Sequence, residues 1–416
     1  MDGEQAISAK GFSEATLATI PPALQAVVDA GDLSGFVTLI WKDGEIAQLN
    51  TIGMADIEAG RPMARDTLFR IASMTKPITT VAAMQLVEEG KLSLSDPISK
   101  HLPEFQNLKV LKDPQGPVED TVPNTREITV EDVMTHRAGL AYAFTSVGPI
   151  GEAHEAVLGP PLDNPNPPDQ WLKKLASLPL SYPPGERFHY SHATEVLGFL
   201  VARIEGEPLG KVLKRRIFDK LGMVDTAFHI PKDKRHRAAQ IYQAPAEGGL
   251  KPVPFADYDE SPAYEAGGGG LISTADDYLK FARMLLNDGE LDGVRLLKAE
   301  TVRDMRTNRL TDEQRQVPFL GIPFWMGQGF GLGLSVVVDP EKHAWMGAGN
   351  VGAFGWPGAF GTWWQADPQT GMILIYLIQN YMPLGPDSAA VATGQRMGGR
   401  AALPVFQKTA YAALGG

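Results

Sequence analysis

Strand-forming runs stand near the two ends of this chain, with helical patterns and long loops between them. Near the start, Gly35-Phe36-Val37-Thr38-Leu39-Ile40-Trp41 and residues 45–51 read as strands joined at Lys42-Asp43-Gly44, a hairpin signal. Far along the chain, residues 331–338, 361–366 and 372–378 read as strands. The last two flank Asp367-Pro368-Gln369-Thr370-Gly371, a turn between antiparallel neighbours. Helical patterns occupy 169–178, 192–204, 208–221 and 274–287, with a short helix at 24–30 and a last one at 404–414. A sheet that draws strands from both ends must bring those ends together, so the middle becomes an insertion. The expected fold class is α/β (α+β): an antiparallel sheet flanked by helices, plus an inserted, mainly helical domain. Residues 12–80 and 265–416 form the first domain and residues 81–264 the second. The loops at 107–127 and 158–169, rich in proline, have the length of binding walls or lids.

The sharpest chemical signal is Ser73-Met74-Thr75-Lys76. Pro77 suits a first helical turn, Ile78, Val81, Ala82, Met84, Leu86 and Val87 continue at roughly helical spacing, and Gly90 is a stop. Residues three apart on a helix share a face, so the Lys76 amine can sit beside the Ser73 oxygen. An amine so placed activates an alcohol that is a poor nucleophile at neutral pH, and the helix N-terminus favours the negative charge that develops.

Bulk properties remove several classes. A formal charge of −11 disfavours a nucleic-acid or anionic-membrane surface. The absence of cysteine excludes disulfides, thiolate metal sites and a cysteine nucleophile. No apolar run approaches membrane-spanning length, and Met1-Asp2-Gly3-Glu4-Gln5 has neither the basic nor the apolar region of an export signal. A cytoplasmic location is expected.

Six blocks occur in an order that resembles the serine β-lactamase and penicillin-binding-protein superfamily. They are Leu68 to Pro77, Gly90 to Ile98, Ile128 to Leu140, Pro184 to His192, Gly267 to Tyr278 and Gly358 to Thr362. Within it the chain looks most like the class C enzymes and their esterase relatives, the family VIII carboxylesterases. The resemblance implies a β-lactamase/DD-peptidase-like fold with the active site in the cleft between domains. It also implies Ser73 as nucleophile, Lys76 as its activating cation, and Tyr190 of Tyr190-Ser191-His192 as general base. A free phenol ionises near pH 10, so it serves as a base at neutral pH only beside a cation. The backbone amides of Ser73 and Ala359 would form the oxyanion hole. Where lactamases carry K-T-G, this chain has Trp356-Pro357-Gly358, which lacks the lysine that would hold a lactam carboxylate. His192 replaces a common asparagine. Trp356, Gly358 and His192 are therefore expected to meet the substrate, a small neutral ester, with no metal or organic cofactor and no nucleic-acid or membrane partner. The alternatives are a β-lactamase or D-amino-acid peptidase, an acyltransferase, and a non-catalytic binding module.

Other signals are weaker. Gly267 to Gly270 lacks the G-K-[ST] of a phosphate loop and reads as a close-packing site, and Ser335 lies in a strand-like run and reads as structural. His189, His192 and Glu195 have a spacing that suggests metal ligation, but polar residues at a helix start explain it as well. A triad through His136 or His343 is not needed beside Ser73, Lys76 and Tyr190.

Overall fold

In the computed structural model, residues 11–256, 258–383 and 397–415 are described. The segment Met1 to Gln5, on which location was argued, lies outside them. The main sheet takes β1 (Gly35–Lys42), β2 (Glu45–Asp56) and β3 (Arg61–Pro62) from the start of the chain. From its later part come β4 (Gln328–Phe330), β5 (Ser335–Val337), β6 (Phe354–Gly355), β7 (Trp363–Asp367) and β8 (Met372–Leu377). Their order is β4-β5-β6-β7-β8-β1-β2-β3, antiparallel throughout. The two ends of the chain meet in the pairing of β1 with β8, from Val37 opposite Leu377 to Lys42 opposite Met372.

Both faces of this sheet are covered, which explains why its central strands are apolar at nearly every position. Phe36, Ile40, Leu374 and Tyr376 face α1 (Ile20–Asp29) and the C-terminal helix Gly398–Ala412 through Leu24, Phe406 and Ala410. Val37, Leu39, Ile373 and Ile375 join the larger core, which holds α2 (Thr75–Glu88), α3 (Ala193–Glu205) and α4 (Ala275–Leu286). Helix α2 is buried from Thr75 through Leu86, as expected of a central helix.

The structure corrects three sequence expectations. Residues 331–338 are not one strand: β4 ends at Phe330, β5 begins at Ser335, and Gly331-Leu332-Gly333-Leu334 is the turn between them. Gly333 sits at φ +75°, and a Cβ there would come 2.2 Å from Thr80 Oγ1, so the backbone touches α2. The terminal helix starts at Gly398, with Pro404 inside it rather than at its first turn. The helix expected at 208–221 is Leu209–Leu213, a π turn at Lys214–Phe218, and Asp219–Leu221. Within that turn Arg216 reaches Glu89 at 2.6 Å and Glu205 at 2.9 Å. Among the described residues no helix is long and apolar enough to cross a membrane.

Candidate active site

Ser73 sits in the tight turn Ala72–Met74 that runs directly into α2. Ala72 is held at φ +44°, a left-handed conformation that costs a non-glycine residue about 1–2 kcal/mol. The surroundings impose it. The Ile71 amide donates to Leu271 O at 3.0 Å, Thr362 Oγ1 donates to Ile71 O at 3.2 Å, and the Tyr278 hydroxyl donates to Met74 O at 2.8 Å.

One turn on, the buried Lys76 amine donates to Gly268 O at 2.6 Å, Ser73 Oγ at 3.3 Å and the Tyr142 hydroxyl at 3.3 Å. Tyr190 enters after the turn at Gly185, and its hydroxyl lies 2.7 Å from Ser73 Oγ. The Trp356 indole N–H donates to that same phenol oxygen at 3.3 Å. Lys76 meets Tyr190 through the ring, its nitrogen lying 4.7 Å from the ring centre. The residues singled out as Ser73, Lys76, Tyr190 and Trp356 thus form one connected group.

Gly358 is where the sheet touches the serine turn. A Cβ there would lie 2.0 Å from Thr362 Oγ1 and 2.4 Å from Ile71 O. Its amide donates to Thr362 O at 2.7 Å, so it is spent on the loop itself. Ala359 follows and packs in one apolar cluster with Ala72. The guanidinium of the half-buried Arg400 donates to the Ala359 carbonyl, and burial pulls that guanidinium down to about 10.

His192 does not stand where the sequence reading put it. It caps α3 and is buried, its ring 4.3 Å from Tyr142, 5.2 Å from Trp171 and 6.2 Å from His154. It supports the Tyr142 ring, and its Nδ1 is buried without a hydrogen-bond partner among the described residues. Burial, then His154 and Lys76, hold it well below the usual imidazole range, and His136 is held down by burial and Lys76. His136 lies 4.6 Å, ring to ring, from Tyr190 and accepts the Ser191 amide at 3.3 Å, a structural role. Ser335 is buried in β5 and donates to Gly355 O at 2.9 Å.

Two groups were missed. The buried Tyr142 hydroxyl donates to Glu195 at 2.8 and 3.0 Å while accepting from Lys76. Glu195 drew notice only through its spacing from two histidines; among the described residues no three His, Asp or Glu side chains gather as a metal site. Nothing in the local sequence marks Tyr142. Around this group stands an aromatic wall of Tyr142, Phe188, Tyr190, Phe324, Phe330 and Trp356, with Phe144 and Phe319 half-exposed beside Tyr142 and Tyr190.

A serine joined to a lysine one turn away and to a tyrosine from a facing segment, at the junction of an antiparallel sheet and a helical region, is an arrangement suited to a serine hydrolase. The chain belongs to the Beta-lactamase family, whose model matches residues 22–393. It is 50% identical over 397 residues to Protein Rv1367c of Mycobacterium tuberculosis, covering 94% of this chain and 98% of that one. Esterase EstB of Burkholderia gladioli is 32% identical over 86% of this chain and 90% of its own. Among solved structures, EstCE1, described as a hydrolase with promiscuous acyltransferase activity, superposes with a TM-score of 0.77 at 27% identity. That match covers 95% of this chain and 99% of the other. The protein is a serine hydrolase with the β-lactamase/transpeptidase-like fold, which sets aside the non-catalytic alternative.

Proposed function

We propose that the protein is a carboxylesterase that hydrolyses small or short-chain neutral esters through an acyl-enzyme on Ser73, in a cleft between an α/β domain (12–80 and 265–416) and a helical one (81–264). The observation that carries this reading is the 2.7 Å contact between the Tyr190 and Ser73 hydroxyls, with the Trp356 N–H on the same phenol oxygen. To take the Ser73 proton Tyr190 reacts as its phenolate, and the Trp356 N–H is placed to donate to that oxygen. Ser73 passes its proton to Tyr190 as its oxygen attacks the ester carbonyl. The oxyanion rests on the Ser73 and Ala359 amides, donors that contribute roughly 2.7–4 kcal/mol each in acyl transfer. Tyr190 returns the proton to the leaving alkoxide. Water then attacks the acyl-enzyme, gives its proton to Tyr190, and Ser73 leaves with that proton.

Substrate class follows from the wall. Where a lactamase would present a lysine, this chain presents the buried Trp356, and Phe144 and Phe319 are the half-exposed rings beside the tyrosines. An apolar, uncharged surround suits a neutral ester better than a carboxylate-bearing lactam. The test is hydrolysis of p-nitrophenyl butyrate and nitrocefin by one preparation, with Ser73→Ala as blank. A Ser73-dependent ester rate that dominates the lactam rate is expected; a dominant lactam rate overturns the reading. Acyl transfer is the second reading, supported by the activity named for EstCE1. Ester product formed in added alcohol at the expense of acid would favour it.

A further inference from the structure

Lysine and tyrosine both stand next to Ser73, and either can take its proton in principle. What decides between them is the charge on Lys76, and that charge depends on what lies behind it. Behind Lys76 the structure has a fixed chain: the amine donates to the Tyr142 hydroxyl at 3.3 Å, and that hydroxyl donates to Glu195 Oε1 at 2.8 Å. Burial and the neighbouring Glu195 hold Tyr142 well above the usual phenol range, so it stays a neutral bridge with one direction of donation.

The carboxylate is built in. Glu195 is 1% exposed, and burial raises it above the usual carboxylate range, while Lys76, the Tyr142 hydroxyl and its place in the first turn of α3 all favour the anion. Gly268 leaves room for it: a Cβ there would meet both carboxylate oxygens, at 2.5 and 2.6 Å. The same glycine gives its carbonyl to Lys76. One glycine of the run Gly267 to Gly270 therefore admits the anion and holds the cation. The other titratable groups around the cluster are His136 and His192, held neutral by burial and Lys76, together with Tyr190 and the buried Tyr264. Among the described residues, Glu195 is the one carboxylate in contact with this cluster.

We infer that Glu195 is a positioning residue that, through Tyr142, keeps Lys76 an ammonium ion, so that Tyr190 and not Lys76 carries the proton of Ser73. A buried cation without a countercharge gives up its proton, whereas an opposite charge within about 4–6 Å favours the charged form by roughly 1–3 pH units. Glu195 itself never touches the substrate. It sets which neighbour of Ser73 is acid and which is base. The inference rests on the serine-esterase reading above.

The test is Glu195→Gln, which keeps shape and the acceptor for Tyr142 but removes the charge. The rate of p-nitrophenyl butyrate hydrolysis is followed from pH 6 to 10, with fluorophosphonate labelling of Ser73 in parallel. The alkaline limb should move down by about 1–3 pH units, with KM nearly unchanged, and Glu195→Asp should restore part of the shift. A folded Glu195→Gln protein whose pH profile overlies the parent overturns the inference. If that variant does not fold, Tyr142→Phe, which removes the bridge and leaves the carboxylate, must show the same downward movement or the inference fails. Should the parent turn over no ester yet label at Ser73, the ester reading fails. The labelling rate against pH then still judges Glu195 by the same criterion.

Discussion

Replacing Trp356 by phenylalanine separates the two things its indole does. The ring fills an aromatic cluster, stacking parallel to Phe319 at 6.1 Å and to Trp325 at 6.4 Å. The N–H donates to the Tyr190 oxygen at 3.3 Å. Phenylalanine keeps most of the packing and removes the donor. A hydrogen bond to a charged partner contributes about 1.5–3 kcal/mol, and a contact of this length belongs at the lower end. Tyr190 must be a phenolate to take the Ser73 proton, so losing about 1.5–2 kcal/mol of stabilisation of that form leaves less enzyme ready to react, a loss of roughly 10–30-fold in kcat at neutral pH. KM should change little, because phenylalanine keeps the apolar ring while the lost donor acts on Tyr190 and not on the ester. The assay is steady-state hydrolysis of p-nitrophenyl butyrate beside thermal unfolding of the same samples. Trp325→Phe is the control: the same cluster, a comparable loss of stability, no contact with Tyr190, and an unchanged kcat. If Trp356→Phe keeps full kcat, or if both variants lose activity in step with stability, the indole is packing alone and the phenolate argument fails.

Gly358→Ala should cost at least tenfold in kcat/KM together with a lowered Tm. Its methyl would lie 2.4 Å from Ile71 O and must push the sheet away from the serine turn, a strain of typically about 1–3 kcal/mol. Wild-type kinetics in this variant would mean that the junction does not position Ala359. Stability should fall on acidification in two stages. Burial lowers His154 to about 4 and His189 to about 3, so the unfolded chain binds protons that the folded one refuses, and stability declines once the pH drops below 6.5. Arg216 holds Glu89 and Glu205 at about 2, so their contribution is complete above pH 4.5 and is lost between there and about 2. Glu89 is partly exposed, and solvent reduces its share. Tm measured from pH 8 to 3 should show both stages, and His154→Gln should flatten the first. A level Tm between pH 7 and 5 would refute the histidine assignment.

Features local in sequence were legible. Ser73 and Lys76 lie one helical turn apart, and the strands near both chain ends show in runs of apolar residues, so the sheet and the Ser73–Lys76 contact followed from short-range pattern. Tyr190 and Trp356 needed whole blocks in family order. Tyr142 and Glu195 left no such trace, because a buried carboxylate is defined by what surrounds it. Tyr142, Gly268 and Lys76 come from three distant segments. The left-handed Ala72 was equally hidden, since alanine does not advertise that conformation. His192 was misplaced because sequence position at a helix start does not say which way a ring turns. The 331–338 error had a visible signal in Gly331 and Gly333, two glycines inside a run read as strand.

The pairing of β1 with β8 also governs how the chain is made. On the ribosome the β1–β2 hairpin emerges long before the strand that completes it, with Leu377 opposite Val37. At about 5–20 residues per second that interval is on the order of tens of seconds. Throughout it Phe36, Val37, Leu39 and Ile40 have an open strand edge and no cover from β8 or the terminal helix. Such a hairpin invites pairing with another nascent chain, so yield in a foreign host should depend more on chaperone supply and slow expression than on the stability of the finished enzyme. Deleting the final strand and helix should leave no smaller folded unit, only an aggregating chain.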